Sequence, residues 1–512
     1  MATKSNNTEN SNPKTTSKPA AQKLKATKLN IKEVTVLEVD YLEQAYKFVS
    51  RKKIHRRREI PPVPIGEDVN DINPTRAMAL SNPQSLASAR AMNDSMTAAA
   101  PMAATDNITL VKNVKLDDVA TADTASHVCE PSLATNGDVI FYTGNWFAAI
   151  SVDGGSTFRF VDPTSMFPAS LNHDFCCDQV VQYIKKIDTF VWLLQATENA
   201  DGENVQRLAM AKTADVKIGK WRIYDITSKS VGMMGAWLDF PDMAVGTNML
   251  YVTTNAFQGD NWVGTVLVRI PLASITSGNI TAQNTVSTSN FSFRVAQHCG
   301  TKAFWAAHED TSTLRVYSWG EADAQPTFTD VTVATWVPAP FVSKTSDNRN
   351  WMQRADERLG GATKVGSQLW FSWISGKGGA NNRPHPFIQI ARINANTLNL
   401  IENINLWDAN LAVGFAALST NTKREVGVSY MIGGATKFPT HVVGILTGTR
   451  KEVSTFASVR GPNDQKYGDY LTVRRHNPNG KLFSASGYTL QSGSGQSDAT
   501  PNFTLFGRAS DV

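Results

Sequence analysis

Cysteine, charge and long apolar runs are all scarce in this chain. The four cysteines, Cys129, Cys176, Cys177 and Cys299, match neither the spacing of a zinc site nor that of a disulfide framework. They leave two readings open: buried or free thiols, or a vicinal Cys176–Cys177 disulfide. No apolar run reaches the length of a membrane span. The opening residues, Met1-Ala-Thr-Lys-Ser-Asn-Asn, lack the basic-then-apolar pattern of a signal peptide. The expectation is synthesis in the cytoplasm, with any export by a route other than Sec. There is no His-Glu-x-x-His, no phosphate-binding glycine loop and no Gly-x-Ser-x-Gly, so the common motifs of zinc, nucleotide and serine-hydrolase chemistry are missing. No cofactor and no metal site is expected.

What the chain does hold is aromatic and turn-forming. Trp occurs 12 times, Phe 23 times and Gly 34 times, while only 19% of residues are charged. That balance favours an all-β protein with many tight turns over a helical one. Charge is also unevenly placed. Residues 1–60 contain 14 Lys/Arg against 6 Asp/Glu, whereas the whole chain carries only +5, so a basic head precedes a slightly acidic body.

Residues 1 to about 28 offer almost nothing to bury and read as disordered. Val39, Leu42, Tyr46 and Val49 share one face of a short helix spanning about 39–50. A basic cluster follows, Arg51, Lys52, Lys53, Arg56, Arg57 and Arg58, stopped by Pro61-Pro-Val-Pro64. Such a cluster suits an acidic protein groove, an anionic lipid or a nucleic acid. No aromatic or glycine-rich RNA-binding pattern accompanies it, which disfavours nucleic acid. Residues 65–106, rich in Ala, Ser, Met and Asn, read as a linker. The organisation is therefore a basic arm over 1–106 and a β domain over 107–512.

From about residue 107 one unit recurs seven times: a small or apolar strand, a polar turn, then a strand rich in Phe, Tyr or Trp. The units begin near Pro131, Asp178, Asp242, Val295, Leu359, Gly414 and Asp469. Third strands follow in several, as in Thr265–Ile270, Leu314–Trp319 and Phe387–Ile393. Small residues suit strands crowded around an axis, and aromatics fill the space between neighbouring sheets. The prediction is a seven-bladed β-propeller, with six or eight blades and a β-sandwich array as alternatives. Closure is expected from an early strand, Asn107 to Val111, paired with the last blade, or from Phe503 to Phe506 as the final outer strand.

Ser151-Val-Asp-Gly-Gly-Ser-Thr-Phe158 gives the most specific local reading. Asp153 can accept hydrogen bonds from backbone N–H groups inside its own turn, and Gly155 permits positive φ. Thr157 can return a hydroxyl to the same turn, and Phe158 starts the next strand. With Ser151 these residues resemble the Asp box of sialidase-like β-propellers, a scaffold element there. Asp174-Phe-Cys-Cys-Asp-Gln179 and Tyr467-Gly-Asp-Tyr-Leu-Thr-Val473 resemble pieces of uncharacterised bacterial propellers. The resemblance covers about residues 107–510.

Sialidase chemistry, which the resemblance makes an option, needs three arginines around a carboxylate, a Tyr–Glu nucleophile pair and an Asp acid. Arg269-Ile-Pro271 matches a tripeptide of such enzymes, but it falls in the third unit on an outer strand. His308-Glu-Asp310 reads as a surface turn, and Asn199-Ala-Asp-Gly-Glu203 as a solvated hairpin loop rather than a calcium site. Polar residues at blade entrances are the better candidates: His173, Asp174 and Asp178 before the second blade, Arg354, Asp356 and Arg358 before the fifth, and Asp469 at the seventh. Radial symmetry would gather them at the channel mouth to bind a sugar or anion, or to pair with one another. The leading expectation is a non-enzymatic propeller that recognises a glycan or a protein. Its arm would serve for docking or loading, as in cargo or an effector of a bacterial secretion or contractile injection apparatus. The alternative is a sialidase-type glycoside hydrolase.

Overall fold

The computed structural model describes residues 22–41, 60–66, 107–116, 128–447, 451–463, 465–491 and 499–512. The basic cluster from Arg51 to Arg58, residues 42–50 of the expected helix and the linker over 67–106 lie outside the described residues.

Each repeat unit folds as an antiparallel sheet, and seven sheets form. Blade I comprises Ser132–Asn136, Val139–Gly144, Phe147–Ser151 and Arg159–Val161. Blade II follows with Phe175–Ile184, Thr189–Ala196, Val205–Ala211 and Lys220–Thr227, and blade III with Trp237–Val245, Met249–Gln258, Asn261–Pro271 and Ile280–Ser287. Blade IV is Arg294–Val295, Lys302–Asp310, Thr313–Gly320 and Thr327–Thr332. Gly361–Val365, Gln368–Ser375, Phe387–Asn394 and Leu400–Leu406 make blade V. Ala412–Thr420, Val426–Gly434, Lys437–Ile445 and Lys451–Ala457 make blade VI. Blade VII is Thr472–Arg475, Phe483–Thr489 and Thr500–Arg508, completed by Ile108–Lys115.

The innermost strands touch in chain order, and the seventh touches the first, so the sheets close into a seven-bladed propeller. Both expected closing segments take part: Phe503–Phe506 lies in the third strand of blade VII, and residues 108–115 pair with it as the outermost strand. The seam between blades VII and I is tied by the Tyr142 hydroxyl, which donates to the Gly487 and Asn502 carbonyls at 3.0 and 3.3 Å. Aromatics fill the wedges between blades. Phe141 of blade I meets Trp192 and Trp221 of blade II at 4.9 and 5.1 Å. His308, on the second strand of blade IV and not in a surface turn, packs against Trp336 and Trp373. Arg269 braces blade III to blade IV, stacking on Trp319 at 3.7 Å and donating to the carbonyls of Gly320 and Asp323.

The Ser151–Phe158 octet joins the third and fourth strands of blade I. Asp153 accepts from the Ser156 and Thr157 backbone at 2.9 and 3.0 Å, from the Thr157 hydroxyl at 2.6 Å and from the Ser151 hydroxyl at 2.7 Å. Partial burial alone would raise its pKa; these donors outweigh that and hold the carboxylate well below its usual range. Gly155 adopts φ +88°. Asn199 closes its loop by accepting from the Asp201 and Glu203 N–H groups.

Two sequence expectations are corrected. The reading of residues 1 to about 28 as disordered fails from residue 22 onward. Gln22–Lys23, Ala26–Ile31 and Glu33–Glu38 add a fifth, outermost strand to blades IV, III and II in turn. An edge strand needs only one buried face, and Leu29 and Ile31 supply it between exposed polar neighbours. The helix expected from Val39 does not start there: the Val39 N–H donates to the Gly219 carbonyl at 2.9 Å, and residues 39–41 are not helical. Of the two readings left open for the cysteines, Cys176 and Cys177 form the vicinal disulfide, while Cys129 and Cys299 are buried thiols.

Close packing between blades makes one glycine irreplaceable. A Cβ on Gly487 of blade VII would lie 2.4 Å from Nδ1 of His441 in blade VI. His441 is fully buried and held by the Ser429 and Thr455 hydroxyls, each at 2.8 Å. Gly487→Ala is therefore expected to lower the unfolding free energy by about 1–3 kcal/mol, read as an earlier urea midpoint at unchanged slope.

Candidate functional site

The inner strands begin at one mouth of the channel, and eight charged residues at or just ahead of them meet there. Glu130 stands two residues ahead of blade I, and Asp178 lies in the first turn-proximal part of Phe175–Ile184. Asp242 sits in the inner strand of blade III, and Arg294 opens that of blade IV. Arg354, Asp356 and Arg358 precede blade V, and Asp469 precedes blade VII.

Arg354 clamps Asp469 with two bonds, of 2.9 and 3.1 Å. Arg358 clamps Asp356 with two, of 2.9 and 2.7 Å, and reaches the second oxygen of Asp469 at 3.3 Å. Arg294 pairs with Asp242 at 3.0 Å and donates to the Leu359 carbonyl. Phe240 lies under the Arg358 guanidinium at 3.6 Å and packs edge-on against Tyr470. Burial opposes charge on Arg354 and Arg358, but the facing carboxylates more than offset it and hold both firmly protonated.

Glu130 and Asp178 are different. They are 2% and 7% exposed and hydrogen-bonded to each other. Burial pushes the Glu130 carboxyl well above its usual range, and the charges of Asp178 and Asp469 push it further. Burial also lifts Asp178, to about 7, together with the charges of Asp239 and Asp469. Like charges in one dry site cannot both ionise, so the pair shares a proton, with Glu130 as its holder. The Asn145 amide donates to Glu130 at 2.8 Å and fixes it.

Three residues around this mouth hold left-handed backbone: Glu130 at φ +48°, Phe240 at +53° and Phe415 at +60°. Each costs roughly 1–3 kcal/mol outside glycine, and such strain gathers where surrounding structure dictates side-chain aim.

The sequence-predicted residues thus divide. Asp178, Arg354, Asp356, Arg358 and Asp469 come together. His173 does not: it lies on the turn before blade II beside Arg207 and Asp225 of the outer strands, its pKa lowered by burial. Asp174 is exposed. Glu130, Asp242, Arg294 and Tyr470 were missed, although each stands at a blade entrance; extending the same positional rule to blades I, III and IV finds the first three, and Tyr470 lies beside Asp469 ahead of blade VII. Among the described residues no group of His, Cys, Asp or Glu is arranged to hold a metal ion.

Chemically, the mouth offers a protonated carboxyl, its partner carboxylate and three guanidiniums. The cavities beside them are small, about 20 Å³ each, one bounded by Asp242, Arg294 and Tyr470 and the other by Arg358, Asp356 and Asp469. Each has room for about one water molecule.

No protein-family model matches the chain, and no curated protein matches it. Among solved structures it is similar to an α-L-arabinofuranosidase from Fusarium graminearum, at 10% identity and a TM-score of 0.39, over 77% of this chain and 97% of that one. An α-L-arabinanase from Penicillium chrysogenum gives 9% and 0.38 over 78% and 98%. The Neurospora crassa Pan2 WD40 domain gives 10% and 0.37 over 80% and 97%. Likeness this weak bears on neither the activity nor the ligand of this chain.

Proposed function

We propose that the protein is a non-enzymatic interaction propeller whose blade-entrance loops recognise a glycan or a protein. One observation carries this reading: the charged groups at the mouth are spent on one another, and the spaces among them are water-sized. The network holds the entrance loops of blades I, III, IV, V and VII rigid, as a recognition surface requires. A glycan array is expected to return bound glycans, while fluorogenic sialosides and other aryl glycosides show no turnover.

A second reading, glycoside hydrolysis at this mouth, is favoured by the Glu130–Asp178 pair, which keeps an acid protonated near neutral pH beside Tyr470, Arg294, Arg354 and Arg358. Turnover that disappears in both Glu130→Gln and Tyr470→Phe would establish it and displace the first.

The basic run Arg51, Lys52, Lys53, Arg56, Arg57 and Arg58 is the docking or loading segment in this reading, supported by the excess of positive charge in residues 1–60. Deleting the whole arm is a poor test, because residues 22–38 belong to three blades. Changing those six residues to Gln alters no residue of a described strand. Association with an acidic partner surface or a secretion particle should then fall at least about tenfold at physiological salt; unchanged association removes the docking role.

A further inference from the structure

At the opposite end of the channel, where the inner strands finish, lies a cavity of about 370 Å³. Its walls include Lys185, Lys186, His298, Arg474 and Arg475, and among the described residues no aspartate or glutamate lines it. Two carboxylates near it, Glu321 and Asp188, are already engaged. Glu321 accepts from the backbone and side chain of Asn248, both at 2.7 Å, and Asp188 accepts from the Tyr183 hydroxyl at 3.0 Å and from Thr213.

The cations are not so matched. Arg475 donates only to backbone carbonyls, those of Thr420 at 2.9 Å and Asn421 at 3.5 Å. Arg474 makes no ion pair among the described residues, and its buried Nε has no hydrogen-bond partner. Its nearest counter-charge, Asp242, is taken by Arg294. Lys185 is exposed at the rim. His298 holds left-handed backbone at φ +60° while its Nε2 meets the Ser419 hydroxyl at 3.0 Å. The floor is closed by amides: Gln182 donates to Gln297, and both donate to the Met243 carbonyl. An unmatched guanidinium beside an open cavity of ligand size lacks a counter-anion.

We propose that this cavity is a binding site for a small, multiply charged oxyanion, a phosphorylated or sulfated molecule, held between Arg474, Arg475 and the Lys185–Lys186 rim. The unmatched Arg474 guanidinium, the positive charge of Arg475 and ammonium groups at the opening suit tetrahedral oxyanions. The volume accepts a pyrophosphate or a sugar phosphate and is too small for an extended polymer.

Thermal unfolding and calorimetry of the full chain with sodium pyrophosphate, phosphate or sulfate at constant ionic strength test this. Pyrophosphate should bind saturably and raise the melting temperature. Arg474→Gln, and separately the rim pair Lys185→Gln with Lys186→Gln, should weaken binding about tenfold or more. Without ligand, Arg474→Gln should melt no earlier than the parent, because it removes a half-buried charge that has no carboxylate partner among the described residues. Sulfate equal to phosphate makes charge the criterion of the site; phosphate ahead of sulfate narrows it to phosphoryl groups. The proposal falls if pyrophosphate gives no shift, if chloride at equal ionic strength reproduces it, or if both variants bind like the parent.

Discussion

Replacing Asp469 by Ala should lower the unfolding free energy by about 3–5 kcal/mol, because it strips a buried carboxylate from two guanidiniums at once. Asp469 receives both arms of Arg354 and one from Arg358. Its removal leaves Arg354 without its bidentate partner, at a point where little water can replace it. Arg354→Ala should cost less, since Asp469 then keeps Arg358 and Arg358 keeps Asp356. The order of the two losses, read from urea midpoints, is what identifies Asp469 as the hub. Equal losses, or a loss below about 1 kcal/mol for Asp469→Ala, would mean that the mouth is solvated and its ion pairs weak.

The Glu130–Asp178 pair should make stability fall as the solution turns alkaline. Both carboxyls bind protons more tightly folded than unfolded, so their contribution is complete below the unfolded carboxyl range near pH 4. It is lost as pH rises through about 7 for Asp178 and through the raised pKa of Glu130. Each proton retained only by the folded state gives a slope of up to about 1.4 kcal/mol per pH unit. The buried histidines act oppositely. Burial lowers His441 to about 3 and His308 and His476 to about 4, so what they contribute is present above about pH 6.5 and lost on acidification. Glu130→Gln cancels the histidines by comparison, since both proteins contain them. The variant should gain on the parent as pH rises from 5 to 8, by up to about 1.4 kcal/mol per pH unit. A difference that stays flat over this range would show that the two carboxyls titrate normally.

Much of this architecture could be read from residues alone. All seven repeat units became the inner pairs of the seven blades, because small residues near an axis and aromatics in the wedges are what a ring of sheets demands. The strap over residues 22–38 escaped notice because an edge strand that buries only Leu29 and Ile31 has the composition of a solvated tail. Five of the seven residues expected at the mouth do meet there, found by their place ahead of a strand. His173 was misplaced because the inner strand of blade II starts at Phe175, three residues before the repeat unit counted from Asp178, which turns His173 outward. Glu130 was missed because the first unit was counted from Pro131, one residue too late. The proton shared between Glu130 and Asp178 has no linear signature at all, since it depends on two residues 48 positions apart becoming dry together.

The order in which blade VII acquires its strands has a consequence for biosynthesis. Residues 108–115 leave the ribosome almost four hundred positions before residues 500–508, the partner they latch onto. The strap likewise emerges ahead of all three sheets whose rims it finishes. During translation these early segments have no home, and the circle stays open until residues 500–508 have been made. A chain truncated before Thr500 would lose the latch as well as its tail, and would display unpaired strand borders to every other nascent copy.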